Sequence, residues 1–377
     1  MPLDVRKPAV LVAVAAMIAC GEHGGTTEPG PRLVAIGRIE RGSTIRLVTR
    51  DGPSAADTLV SDVRVVPTIA GGVDGAMVSL LQSGPVTIYA HTSDGRTLAT
   101  ALDVAIPPTV YFDAVSSGNR DIYSVALDGR GLMRRTTASA ADEQPTVAST
   151  GIVFVSARDG NAELYSMPVT PGGAEQRLTT TTADESQPAL ASGGATLAYV
   201  SDVGGTPRVY VAPLSLANPA RLTAASFGFG GSIEASPTWA PTRDRIALVA
   251  TVNGGANLFI TPAAAGGTPT AVAGSGAGQT DVEPAWSPDG NRIAFASTRS
   301  GTTQIFLLDL RTGAFSQLTN DTSPSGQPSW LSDGRLVFTR FAGNESALWW
   351  MDPSDSAPPI PISTTGVLQP AHGTGER

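Results

Sequence analysis

A proline recurs through the last two thirds of this 377-residue chain, at Pro145, Pro188, Pro237, Pro284, Pro328 and Pro370, in the contexts EQPTVAS, SQPALAS, ASPTWAP, VEPAWSP, GQPSWLS and LQPAHG. The intervals are 43, 49, 47, 44 and 42 residues, a period typical of β-propellers, in which one repeat makes one blade. The clearest copy, PAWSPDGNRIAFASTRSGTTQIFLLDLRTGAFSQLT, runs from Pro284 to Thr319. It holds four short apolar runs. They are split at Pro288-Asp289-Gly290, Arg299-Ser300-Gly301 and Arg311-Thr312-Gly313, the pattern of a four-stranded antiparallel meander. Such a sheet cannot bury both faces alone, so its copies must stack on one another.

Each copy carries a second run, at 152–156, 197–201, 246–250, 293–297 and 336–339, and a third with one aromatic at a matching place. The aromatics are Tyr123, Tyr165, Tyr210, Phe259, Phe306 and Trp349. Because they fall mid-strand in every copy, packing between neighbouring sheets is preferred to carbohydrate stacking. The ends of the array complement each other. The first copy, from Thr109, lacks a proline-led first strand, whereas a surplus one, 368–372, follows the last copy. If the C-terminus supplies the missing strand, six blades close into a ring, which removes exposed sheet edges.

The unit WSPDGNRIAFASTRSGTTQIFLLDL strongly resembles the repeat of the TolB-like six-bladed β-propeller, and the resemblance covers 109–372. Only one copy keeps the full Trp286-Ser287-Pro288-Asp289-Gly290; Trp239-Ala240-Pro241-Thr242 and Trp330-Leu331-Ser332-Asp333-Gly334 are partial versions. The family resemblance implies a periplasmic or surface protein. TolB itself has an N-terminal α/β domain, and this chain has alternating, strand-like runs there instead.

Those runs occupy 32–107 and predict six or seven short strands, a small β-sandwich. The ending Gly84-Pro85-Val86-Thr87-Ile88-Tyr89-Ala90, followed by Ser93-Asp94-Gly95 and a last alternating strand, is similar to bacterial immunoglobulin-like domains. Pro107-Pro108 marks a stiff boundary before the repeats. Upstream, Arg6 and Lys7 precede an apolar run, 9–19, of secretory rather than membrane-spanning length. The run meets the only cysteine. Met17-Ile18-Ala19-Cys20-Gly21 resembles the lipobox of bacterial lipoproteins, which implies a lipid anchor on Cys20, a signal peptide of 1–19 and, with Gly21 next, outer-membrane sorting. An ordinary signal peptide with an incidental cysteine is the alternative. Residues 20–31, rich in Gly, Thr and Pro, read as a flexible tether.

The net charge of −8 offers no basic field for phosphates, so nucleic acid is not an expected partner. Acidic residues gather before the first strands: Asp142 and Glu143, Asp184 and Glu185, Glu234, Asp281 and Glu283, with His372 beside them. In a propeller these loops converge on one end of the central channel. A carboxylate ring there suits calcium or a basic peptide segment, although Asp and Glu also cap turns by default. Catalysis finds little support. His23, His91 and His372 are dispersed, and Gly228-Phe229-Gly230-Gly231 sits in a loop between blades without a following helix. The sequence therefore points to a non-catalytic, lipid-anchored envelope protein whose propeller binds a protein or peptide. A glycan-binding module, or a propeller enzyme acting on polysaccharide, is the alternative.

Overall fold

A computed structural model describes residues 32–36, 40, 44–50, 56–61, 65–68, 77–80, 84–92 and 97–375, except 117, 228–231, 253–254, 276–277, 344 and 363–368. The lipobox with Cys20, the tether and the glycine-rich 228–231 lie outside these residues. The chain divides into two compact units, 1–107 and 108–377.

In the first unit, Arg32–Ile36, Thr44–Arg50, Met77–Leu80 and Val65–Thr68 form one antiparallel sheet in that order. Ala56–Ser61, Gly84–Thr92 and Thr97–Val104 form a second. Leu98, Leu102 and Val104 alternate along the last strand and are buried, while Ala99 and Ala101 are exposed. This is the period-two pattern of a strand with one covered face.

The second unit is six four-stranded antiparallel sheets, one per repeat. The innermost strands of blades 2 to 6 are Asp142–Ala148, Glu185–Leu190, Glu234–Trp239, Asp281–Trp286 and Ser325–Trp330. In blade 1 the corresponding place is taken by Gln369–Gly375, antiparallel to Thr109–Ser116. Each innermost strand packs against the next around the ring, and Gln369–Gly375 touches those of blades 2 and 6. The second strands are the buried centre. Gly151–Ser156 is buried at every position, and Phe112, Phe154, Phe295 and Phe338 are fully enclosed. Covering each such ring contributes about 2–3 kcal/mol.

The aromatic series expected in the third strands pairs with these centres. Phe112 and Tyr123 stack at 5.8 Å, Phe154 and Tyr165 at 5.9 Å, Tyr199 and Tyr210 at 6.0 Å. In blade 5 Phe295 and Phe306 lie 6.1 Å apart. The cross-strand register makes these meetings, since Phe154 faces Tyr165 and Phe295 faces Phe306 directly.

Candidate functional site: the upper rim of the channel

The innermost strands all begin at one end of the propeller, here termed upper, and run to turns at the lower end. Those of blades 2 to 6 are each interrupted at the proline by a β-bulge. The residue ahead of the proline is left-handed in each case: Gln144 (φ 54°), Gln187 (50°), Ser236 (49°), Glu283 (54°) and Gln327 (55°). A non-glycine residue held there costs on the order of 1 kcal/mol or more, and such strain gathers where a fold serves a function. The bulge re-aims the backbone N–H sideways. Gln187 N–H donates to Gln144 Oε1 at 2.7 Å, Ser236 N–H to Gln187 Oε1 at 2.6 Å, and Gln327 N–H to Glu283 Oε2 at 2.6 Å. Gln144 N–H reaches Asp113 Oδ1 in blade 1 at 3.3 Å. Side chains thus link blade to blade around the channel. Ser236 is too short to continue the chain in the same way.

The carboxylates expected to form one ring separate into two sets. Asp142, Glu185, Glu234 and Asp281 stand three residues before their prolines and are buried, at most 2 % exposed. They do not line an open ring, because each is buried and held by local donors. Arg158 Nη2 donates to Asp142 at 2.8 Å, and Arg299 Nη2 reaches both oxygens of Asp281 at 3.0 Å, with Ser275 Oγ adding 2.8 Å. Glu234 accepts from Thr223 Oγ1 at 2.6 Å and Val209 N–H at 3.0 Å, with Arg221 at 3.4 Å. Glu185 accepts from Thr181 and Ser201 hydroxyls, each at 2.9 Å. The other set stays at the rim. Asp184 is exposed and accepts from Ala162 N–H at 2.9 Å. Glu143 is 41 % exposed and 3.5 Å from Arg120, and Glu283 is half-buried. Asp321 holds Arg340 beside them. The backbone of His372 pairs with Asp113; its side chain lies outside the described residues, as do those of His23 and His91. Among the described residues no group of three or more His, Cys, Asp or Glu is placed to hold a metal ion.

The arginines are residues that sequence reasoning passed over. Arg158, two residues after Ser156, and Arg299, two after Ser297, lie over the aromatic pairs of their own blades, 4.6 Å from Tyr165 and 5.0 Å from Phe306. Burial works against the charge of Arg158, but bonds to Asp142 and Glu175 outweigh it and hold its pKa above the ordinary value. The signal was present as Ser-Ala-Arg and Ser-Thr-Arg at the same place in two copies. The left-handed glutamines had a fainter one, a polar residue before each proline.

At the lower end, Trp239, Trp286 and Trp330 close the innermost strands of blades 4 to 6, with indole N–H groups on Ala189, Gly290 and Ala285 carbonyls. Between them and Pro241 and Pro288 is a cavity of about 120 Å³.

Residues 226–365 match the family model described as TolB beta propeller domain. TolB from Acinetobacter baumannii superposes with a TM-score of 0.62 over 78 % of this chain and 80 % of its own, at 15 % identity. The second unit has the six-bladed β-propeller fold of TolB. Putative TolB from Agrobacterium tumefaciens matches the chain with a TM-score of 0.56 over 71 % of it and 92 % of its own length, at 16 % identity. A chain of a nidogen/laminin complex gives 0.55 over 71 % and 97 %, at 10 % identity. At these identities the likeness is one of fold. No curated protein matches the sequence significantly. Within the TolB-like frame the buried acids belong to the contacts between blades, and the upper rim carries the exposed polar groups.

Proposed function

We propose that this protein is a non-catalytic cell-envelope lipoprotein, anchored through Cys20, whose TolB-like propeller binds a protein or peptide at its upper rim. The observation that carries this reading is the run of five strained, left-handed residues, Gln144 to Gln327, around that end of the channel. Rims of this kind present hydrogen-bonding groups on a rigid frame, the arrangement that favours recognition over chemistry. The rim carboxylates Glu143, Asp184 and Glu283 favour a basic segment, which a net charge of −8 would also attract. The two small sheets of 32–107 serve, in this reading, as an immunoglobulin-like spacer between the lipid and the propeller. A propeller of the same fold is found within a nidogen/laminin complex, which is an assembly of proteins.

The pairing of Gln369–Gly375 with Thr109–Ser116 supports reading the C-terminal strand as the clasp of the ring. The test of the binding reading is capture from the native envelope with the intact protein and with Glu143→Lys/Asp184→Lys. One stoichiometric protein partner, lost in the double variant, is the expected result. Equal recovery by both forms contradicts it.

A further inference from the structure

The interfaces between blades differ in their balance of charge. Between blades 1 and 2, two acids meet two arginines: Asp121 with Arg134 at 2.6 Å and Asp142 with Arg158 at 2.8 Å. Between blades 3 and 4, Glu234 lies 3.4 Å from Arg221 and 3.9 Å from Arg208. Between blades 4 and 5, Asp281 has Arg299. Between blades 2 and 3 the two buried acids, Glu163 and Glu185, have one arginine near them, and only Glu163 is paired with it. Glu163 takes Arg177 Nη2 at 2.8 Å, while Arg177 Nη1 is drawn to Asp159 at 3.0 Å. The arginine that serves Asp142 and Asp281 stands two residues after the serine facing the acid, as in Ser156 and Arg158 or Ser297 and Arg299. In blade 3 that serine is Ser201, paired with Glu185, and two residues on is Val203, 60 % exposed.

Glu163 is fully buried and Glu185 is 2 % exposed. One oxygen of each is occupied. Glu163 Oε1 accepts from Arg177 and, at 3.2 Å, from Asn161; Glu185 Oε1 accepts from Thr181 and Ser201. Neither Oε2 has a donor among the described residues, and the backbone sets the two residues side by side: Glu185 N–H donates to the carbonyl of Ala162, next to Glu163, at 2.8 Å, and Asn161, which donates to Glu163 Oε1, also donates to the carbonyls of Thr181 and Ala183. Two carboxylates cannot satisfy one another, because both only accept. One proton supplies the missing donor and relieves both orphaned oxygens. We infer that Glu163 and Glu185 form a proton-binding site between blades 2 and 3, in which protonated Glu185 donates to Glu163 and fastens the two blades together.

The surroundings divide the roles. Burial pushes Glu185 up to about 7, helped by the adjacent Glu163, against the hydroxyls of Thr181 and Ser201. Burial also acts on Glu163, but Thr179, Arg177, Glu185 and Asn161 together hold it below the usual carboxylate range. Tyr199 also faces Glu185, and its burial and that proximity raise it to about 12; it stays neutral across the relevant range. Since the folded pKa of Glu185 exceeds the unfolded one, its stabilisation is complete below about pH 4.5 and is lost as pH rises through about 7.

Thermal unfolding of the full chain between about pH 5 and pH 8.5 tests this. The Tm should fall by roughly 4–8 °C as the pair loses its proton. Val203→Arg, at an exposed site, supplies the missing guanidinium, and Glu185→Gln supplies a permanent donor; both should flatten the fall. Infrared spectra of the folded wild type should show a carboxylic-acid stretch near pH 6 that fades by about pH 8 and is missing in Glu185→Gln. A flat wild-type Tm, a Val203→Arg curve parallel to the wild type, or an acid band retained in Glu185→Gln would each overturn the proposal.

Discussion

A residue ahead of proline is ordinarily extended, because the proline ring crowds any other backbone conformation. Gln144, Gln187, Ser236, Glu283 and Gln327 are instead left-handed, and the hydrogen bonds they make to the next blade explain why the strain is tolerated. Gln187 shows the balance most clearly: it stands in the bulge of its own strand and joins Gln144 on one side to Ser236 on the other. Gln187→Ala removes the acceptor for Ser236 N–H and keeps the strain, so it should destabilise by about 1–2 kcal/mol. Gln187→Gly loses the same bond but removes the conformational penalty, and should recover roughly 1 kcal/mol of that loss. Denaturant midpoints of the two variants check the order; an alanine variant as stable as the glycine one contradicts it.

At the scale of the blade, an arginine joins three things: the buried acid of the innermost strand, the serine of the second and the aromatic pair of the centre. Arg299 bonds Asp281 and Ser297 and lies 5.0 Å from the rings of both Phe295 and Phe306. Arg299→Ala leaves the Asp281 charge buried without its cation, and should cost about 3–5 kcal/mol. Arg299→Lys, which lacks the planar fork, should restore part of this. Thermal unfolding measures both, and an alanine variant within about 0.5 kcal/mol of wild type would contradict the assigned role. These stacks also mark how far the sequence could be read. The period of the prolines and the aromatic of each third strand were legible, because spacing and apolar pattern persist in every copy. The position of the acids was not. Asp142 and Asp184 look alike beside their prolines, yet one is buried against Arg158 and the other is exposed. That difference depends on a partner sixteen residues away and on a bulge that composition does not reveal.

For the molecule as a whole, Gln369–Gly375 pairs with Thr109–Ser116 of blade 1 and touches the innermost strands of blades 2 and 6, and the proposed role of this strand is to close the ring. Ending the chain after Leu368 leaves Thr109–Ser116 as an open edge and should lower the Tm markedly, with aggregation as the accompanying sign. An unchanged melting curve would refute the closing role. The propeller has two ends of different character: a polar upper rim, and a lower end where Trp239, Trp286 and Trp330 surround a small apolar cavity. The central claim is that the upper end is the one that meets a partner. Photo-crosslinking side chains placed at Asp184 and Asp321 on the upper rim, and at Asp289 on a lower turn, test it directly in the native envelope. One discrete protein adduct from the upper positions and none from Asp289 is the expected result; an adduct from Asp289 alone, or no adduct from either upper position, would contradict the claim.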